Sequence, residues 1–506
     1  MADASNGGSL LASALCFGLS STFLVFMGRL DGRRRSKLIV DVEQDGRTKR
    51  LLHYLSDHDD WNSYDASQER FVQEFPKIEL HVHLDGTFDP DFLFKYMTAN
   101  PDVVQCLPVE TELPWDPSNT LPVRELVKKC QNPRDYHDLC TCRGHRSLKA
   151  MLNCFEIFLP LVRRNLELLE QLALDFCQRQ FEQNTVYTEV RYSPFLLAES
   201  YNEQEEDDDG DGDDNGEDGE EIDPELVFAA VTRGLRRGCA KFNITVNQIL
   251  CAITWRPDWA DPTLDMAKKH QNDYPCAVVG IDIAAGEEHY DKDEFPELYQ
   301  PHFDMIQQAK KDGIPITLHA GEATEDALEN VRRAVFEYGA IRIGHGYRMS
   351  QNKELMKELR ERNIHVEVCP TSSLETGGWV FDGEKNWEQH PCVKMKECGV
   401  SFSLSSDDPA VFHTSLAWQY RIALAKMKFS REDIVQANLN GIDGAFCSEQ
   451  DKERLRLLVQ AYAAATKVKL DVSDERNLEM KLEQRAWTRS MSESFVDRVY
   501  ISKQYF

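Results

Sequence analysis

The chain has 506 residues, a formal net charge of −28 and 42% hydrophobic residues. That length holds one large domain or two to three average ones, and that charge argues against a nucleic-acid backbone as partner. Its fourteen cysteines include no C-x-x-C pair, Cys140 and Cys142 being the closest spacing, so they read as reduced thiols of a cytosolic-type interior rather than a disulfide framework.

In chain order, the first notable segment is 9–28, "SLLASALCFGLSSTFLVFMG", which has no charged residue and precedes a basic cluster of Arg29, Arg33, Arg34, Arg35 and Lys37. Twenty uncharged residues are long enough to span a bilayer core as a helix. With the basic cluster after it, an inserted segment would leave the bulk of the chain in the cytoplasm. The expectation is therefore an N-terminal extension over 1–74, its segment 9–28 a candidate membrane anchor or leader, and a cytoplasmic catalytic domain.

The stretch 75–86 reads "FPKIELHVHLDG". Alternation along a strand sets Ile78, Leu80, Val82 and Leu84 on one face and Glu79, His81, His83 and Asp85 on the other. The two imidazoles then sit about 7 Å apart along one face, where a ring nitrogen from each could reach one metal ion. Residues 102–145 carry Pro and Cys with no sustained period, and from 146 to 183 apolar positions recur at helical spacing. The segment 203–221, "EQEEDDDGDGDDNGEDGEE", holds thirteen acids and no base; without it the net charge would be −15. It is expected to be a disordered acidic insertion.

Beyond it the chain alternates. Strand-like segments fall at 246–254, 277–284, 314–322, 341–346, 364–370 and 400–409, with helical patterns such as "ATEDALENVRRAVFEYG" and "NKELMKELRERN" between them. With "IELHVHLDG" and "TVYTEVRYSP" (185–194) they make eight strands joined by long crossovers, which argues for a (β/α)8 TIM-type barrel over 75–470, followed by a helical tail over 471–506.

Ionisable residues close the strands: His81, His83 and Asp85 on the first, His319 and Glu322 on the fifth, His345 on the sixth, Asp407 and Asp408 on the eighth. In such a barrel these ends meet at one mouth, where active sites sit. Three histidines and a carboxylate suit zinc, which would make a water nucleophilic at neutral pH, while Glu322 could move a proton and His345 could orient the water. The residues alone point to metal-assisted hydrolytic attack on an electrophilic carbon and leave the substrate unnamed.

In this order "PKIELHVHLDG", "YTEVRYSP", "LHAGE", "RIGHG", "EVCPTSS" and "SLSSDDP" resemble the adenosine deaminases of the metal-dependent amidohydrolase superfamily, over roughly 75–457 with extra sequence around 102–145 and 203–221. The resemblance implies one Zn2+ per chain held by His81, His83, His319 and Asp407. It implies that Glu322 protonates N1 of the purine, that His345 positions the attacking water, and that Asp408 bonds to N7. Asp85 would bind the ribose 5′-hydroxyl, with His83 beside the substrate. The small-molecule substrate would be adenosine, released as inosine and ammonia. One departure matters: where the family has glycine after "D-L-A", this chain reads "DIAAGEE", so Ala285 stands at the ungapped position with Gly286 next, and either could supply the backbone N–H for N3. Deamination of another aminopurine (adenine, a methylated adenosine or AMP) is the nearest alternative, although no Arg- or Lys-rich phosphate cradle stands beside the motifs. A non-catalytic nucleoside-binding signalling protein is the other.

Overall fold

The structure is a computed structural model and describes residues 64–468 except 114–115, 200–221, 324–325, 382 and 384. The apolar segment 9–28, the acidic insertion 203–221 and the tail 471–506 lie outside the described residues. Among the described residues no helix is long and apolar enough to cross a membrane.

Eight parallel strands form the barrel: β1 (Lys77–His83), β2 (Thr185–Tyr192), β3 (Thr245–Ile253), β4 (Val278–Ala284), β5 (Thr317–Ala320), β6 (Arg342–His345), β7 (His365–Val368) and β8 (Ser401–Leu404). They pair in sequence order as β1-β2-β3-β4 and β5-β6-β7-β8. Single bridges, Ile281 to Ile316 and Val82 to Asp407, join the two sets and close the ring. Both faces of these strands are buried, one against the barrel interior and the other against the helices, so they read as near-continuous apolar runs with charges only at inward positions.

All eight expected strands are present, and β5 and β8 are shorter than their motifs. Hence Glu322 and Asp408 stand beyond the paired residues and Asp407 is held by its single bridge to Val82, positions where side chains are free to face the mouth. Helices follow β3, β4 and β6 at Ala260–His270, Pro296–Asp312 and Lys353–Glu361. The last buries Leu355, Met356 and Leu359 behind the N-cap Asn352, whose side chain accepts the Leu355 N–H. That is an amphipathic helix with one of its unsatisfied first-turn donors capped.

The β1–β2 crossover is long and better ordered than its sequence suggests. It contains an antiparallel hairpin (Thr111–Leu113 with Asp116–Leu121), helices at Val123–Lys129 and Pro133–Cys140, and then Leu148–Asn153 and Leu166–Glu182. The short helices lack a long period but carry local start signals: Asn132, before Pro133, caps through its side chain the Arg134 and Asp135 amides. The crossover docks on the loops after β7 and β8, with Ser147 N donating to Glu375 O and Cys142 N to Val411 O, both at 2.9 Å. This places residues 146–163 over the mouth. Helix Ala66–Glu74, inside the expected N-terminal extension, also packs on the barrel: Glu69 takes a two-point ion pair from Arg421 at 2.8 and 2.6 Å, and Phe75 stacks on Phe71 with centroids 5.0 Å apart.

Candidate active site

β1 ends by delivering His81 and His83 to the barrel axis, with ring centroids 5.4 Å apart. The strand stops at His83, because Leu84 turns helical (φ −60°, ψ −46°) into a short 3-10 turn over Asp85–Thr87. Asp85 therefore reaches the cavity from that turn and not by continued strand alternation. Gly86 is required there, since a Cβ would lie 1.9 Å from Oδ1 of Asp408.

The ligating atoms of His81, His83, His319 and Asp407 all lie within 4.8 Å of one another. Nε2 of His83 is 3.2 Å from Nε2 of His319, and Oδ1 of Asp407 is 3.1 Å from Nε2 of His81 and 3.5 Å from Nε2 of His83. Tautomers follow from the outer contacts. His81 Nδ1–H donates to Glu367 Oε2 at 2.7 Å, and His319 Nδ1 lies 2.9 Å from Asp282 Oδ2, within ion-pair reach. Their Nε2 lone pairs are thereby aimed inward, the carboxylate–histidine arrangement of metal ligands.

Burial holds His83 well below the usual imidazole range, so its ring stays neutral. Burial and Arg191 pull His81 down, but Asp407 and Glu367 outweigh them and raise it. A proton or a cation must separate its Nε2 from the Asp407 carboxylate. Although burial opposes it, the His81 and His345 rings hold Asp407 well below the carboxylate range. Three inward imidazole lone pairs and one carboxylate oxygen, all buried or nearly so, fit a borderline divalent cation of the zinc type.

Glu322 and His345 face this cluster, His345 Nε2 lying 3.7 Å from Glu322 Oε2. Burial and the Asp407 carboxylate push Glu322 up to about 8, so it holds its proton at neutral pH. His345 is held low by burial. Its Nδ1 lies 3.0 Å from the Tyr347 hydroxyl, which lies 2.9 Å from the Cys369 carbonyl oxygen and accepts the Cys369 N–H at 3.3 Å. Two oxygens at 2.9 Å need a hydrogen between them, so the phenol donates to Cys369 and accepts from His345 Nδ1–H. That leaves the His345 Nε2 lone pair facing Glu322 and the cluster.

Asp408 is raised well above the carboxylate range by burial and by Asp407, and burial lifts Asp85 to about 6 despite Arg163. Asp85, Asp408, Ala285, Gly286, Glu322 and His345 share a cavity of about 760 Å3, within the range of small-molecule sites. Every residue singled out from the sequence therefore converges on one mouth.

Ala285 adopts a left-handed backbone (φ 67°) and Gly286 follows at φ 130°. The left-handed form costs a non-glycine residue about 1–2 kcal/mol, against roughly 0.4–1 kcal/mol of extra unfolded-state freedom for glycine. Ala285→Gly is therefore expected to raise stability by about 0.5–1 kcal/mol, read as a higher urea midpoint at unchanged slope. An unchanged or lower midpoint would show that the turn does not strain Ala285.

The residues behind the cluster were not among the sequence candidates. Arg191 bridges Asp282 (2.6 Å) and Glu367 (2.6 Å), so a chain of hydrogen bonds runs His81–Glu367–Arg191–Asp282 and on to the His319 backbone N–H. Arg342 pairs with Glu189 at 2.5 Å and also contacts Glu367. Each of these charges sits at a fully buried strand position. A charge inside an otherwise apolar parallel strand was the available signal.

A closed parallel barrel with inward imidazoles, a carboxylate at the end of β8 and a buried acid beside them defines a metal-dependent amidohydrolase barrel. The family model for adenosine deaminase matches residues 76–462. Adenosine deaminase of Xenopus tropicalis is 33% identical over 388 residues, 76% of this chain and 96% of that protein. That of Bos taurus is 31% identical over 394 residues, covering 76% and 94%. Among solved structures, a zinc-bound amidohydrolase from Burkholderia ambifaria superposes with a TM-score of 0.58 at 22% identity, covering 81% of this chain and 97% of that one. Adenine deaminase from Arthrobacter aurescens gives 0.58 at 17% identity, covering 77% and 99%. The chain belongs to the adenosine deaminase family and is a hydrolytic deaminase.

Proposed function

We propose that this protein hydrolyses adenosine, and its 2′-deoxy form, to inosine and ammonia with one zinc ion held by His81, His83, His319 and Asp407. The observation that carries the reading is geometric: the buried Glu322 carboxyl group and His345 Nε2, 3.7 Å apart, face the same buried cluster of ligating atoms. The ion, when bound, supplies Lewis-acid activation of water at neutral pH. Glu322 gives its proton to N1, which makes C6 electrophilic. The His345 Nε2 lone pair orients the water and takes its proton as oxygen adds to C6. Asp408, whose carboxyl group burial and Asp407 push well above the usual range, bonds to N7. A backbone N–H of Ala285 or Gly286 meets N3. The C6–N bond then breaks, the amine leaves as ammonia with the proton that His345 took from the water, the C6 hydroxyl proton returns to Glu322, and C6 keeps the oxygen as a carbonyl.

A binding protein would have no use for a protonated carboxyl group beside the ligating atoms, which favours turnover over mere binding. Mixing the purified protein with adenosine and following ultraviolet absorbance together with released ammonia tests the reading directly. A steady change in both is expected. Turnover of adenine in preference to adenosine would move the assignment to the free base, and no turnover with zinc supplied would end it.

Asp85 is proposed to select nucleosides over free bases. It is buried, lines the cavity and stands past the ligand His83. A hydroxyl bonded to a charged partner contributes roughly 1.5–3 kcal/mol. Asp85→Ala should therefore lower kcat/KM for adenosine by about 10- to 150-fold while changing that for 5′-deoxyadenosine much less. Equal losses for the two substrates would show that Asp85 does not read the 5′-hydroxyl.

A further inference from the structure

Glu287 is a buried carboxylate, 3% exposed, that touches none of the candidate ligands. It follows Ala285 and Gly286, whose left-handed backbones (φ 67° and 130°) turn the chain back under the barrel mouth after β4. There its two oxygens collect three N–H donors from the next barrel unit. Oε1 accepts the Glu322 amide at 2.8 Å, while Oε2 accepts the Gly321 amide at 3.0 Å and Asn330 Nδ2 at 2.8 Å. Gly321 and Asn330 belong to the turn and helix that follow β5, and Asn330 is likewise buried at 3% exposure.

We propose that Glu287 is a positioning residue for catalysis, a bracket that fixes the backbone of Glu322 and locks it to the Ala285–Gly286 loop. The inference rests on the proposed adenosine chemistry. In that chemistry Glu322 addresses N1 of the purine and the 285–286 backbone addresses N3, two atoms on one edge of a rigid ring. The reach from acid to amide must match that edge, and a single carboxylate spanning both segments sets it. Two successive backbone donors on one carboxylate also fix the orientation of the peptide plane from which the Glu322 side chain departs. Charge-assisted bonds of this kind are about twice as strong as neutral ones, and a misplacement of about 1 Å at a reacting group costs on the order of 10²-fold in rate.

Three donors on two oxygens leave no place for an N–H on residue 287. Glutamine is the same shape, yet whichever way its amide turns, its NH2 faces an amide donor: that of Glu322 on one side, those of Gly321 and Asn330 on the other. A tethering role confined to fold stability would lower the melting temperature and leave kcat per metal-loaded site intact. A positioning role lowers kcat itself.

The test measures kcat and KM for adenosine, zinc content and melting temperature in the full chain and in Glu287→Gln. The parent is assayed first, because a parent with no deaminase activity would end the functional reading and not the bracket. With an active parent, Glu287→Gln is expected to lose about 10²-fold in kcat, with zinc content unchanged and KM moved less than kcat. A kcat within about threefold of the parent at full zinc occupancy would overturn the proposal. Should Glu287→Gln fail to fold, Asn330→Leu removes one of the three donors. It is expected to lower kcat by about threefold to tenfold, less than Glu287→Gln because the two backbone donors stay bonded, and an unchanged kcat in that variant would overturn the proposal equally.

Discussion

Glu322→Gln is expected to keep its zinc, still bind a purine nucleoside, and lose about 10²–10⁴-fold in kcat, the scale of general acid–base catalysis. The side chain keeps its shape and its place above the Glu287 bracket, so the site is not unbuilt. What disappears is the proton that burial and Asp407 keep on the carboxyl group near neutral pH. Without it C6 of neutral adenine remains a poor electrophile. Asp407→Ala is the contrasting variant. Its Oδ1 lies 3.1 Å from His81 Nε2 and 3.5 Å from His83 Nε2 and is one of the four ligating atoms, so zinc content and rate should fall together. Metal analysis beside kinetics separates the two roles. Zinc loss in Glu322→Gln would make the glutamate a ligand, and normal turnover in it would place the proton donor elsewhere.

The barrel was legible because strand and crossover alternate visibly after residue 245, and because parallel strands buried on both faces must be written as apolar runs. The cluster was legible because histidines and acids at strand ends are costly in a core that has no use for them. Its exact geometry was harder. Asp85 was expected from alternation, yet a 3-10 turn delivers it, and β5 and β8 end before the acids that their motifs contain. Strand period says nothing about where a ladder stops. The charged layer beneath was harder still. Arg191, Asp282 and Glu367 stand in three different strands, over 170 residues apart at the extremes, and only closure of the ring makes them neighbours. The helices of the β1–β2 crossover before residue 146 are too short to show a period, unlike Leu166–Glu182. Their available signal was a cap such as Asn132, because a cap needs one residue and a period needs a dozen.

Glu367→Gln is expected to destabilise the protein by about 3–5 kcal/mol, a large share of the roughly 5–15 kcal/mol that holds a domain together, and to weaken metal binding by about 10- to 100-fold. Three donors and a second guanidinium converge on this fully buried carboxylate. Oε2 accepts His81 Nδ1–H and Arg191, at 2.7 and 2.6 Å, while Oε1 accepts the Thr317 hydroxyl at 2.8 Å and forms an ion pair with Arg342. Whichever way glutamine turns, its NH2 meets a guanidinium N–H, and each arginine is left with a single carboxylate, Asp282 or Glu189. His81 loses the anion that fixes its Nδ1–H and aims its Nε2. The pH dependence carries a sign. Burial would raise Glu367, but Arg191 and Arg342 hold it well below the usual range when folded. Its stabilisation is therefore full above the unfolded value of about 4.3 and is lost as pH falls towards the folded value. Urea midpoints of parent and variant, both freed of metal by a chelator, should differ widely at pH 7 and less at pH 3. A gap that stays constant across that interval would show that the charge on Glu367 is not what joins the two arginines. An unchanged zinc affinity would show that His81 is aimed by packing alone.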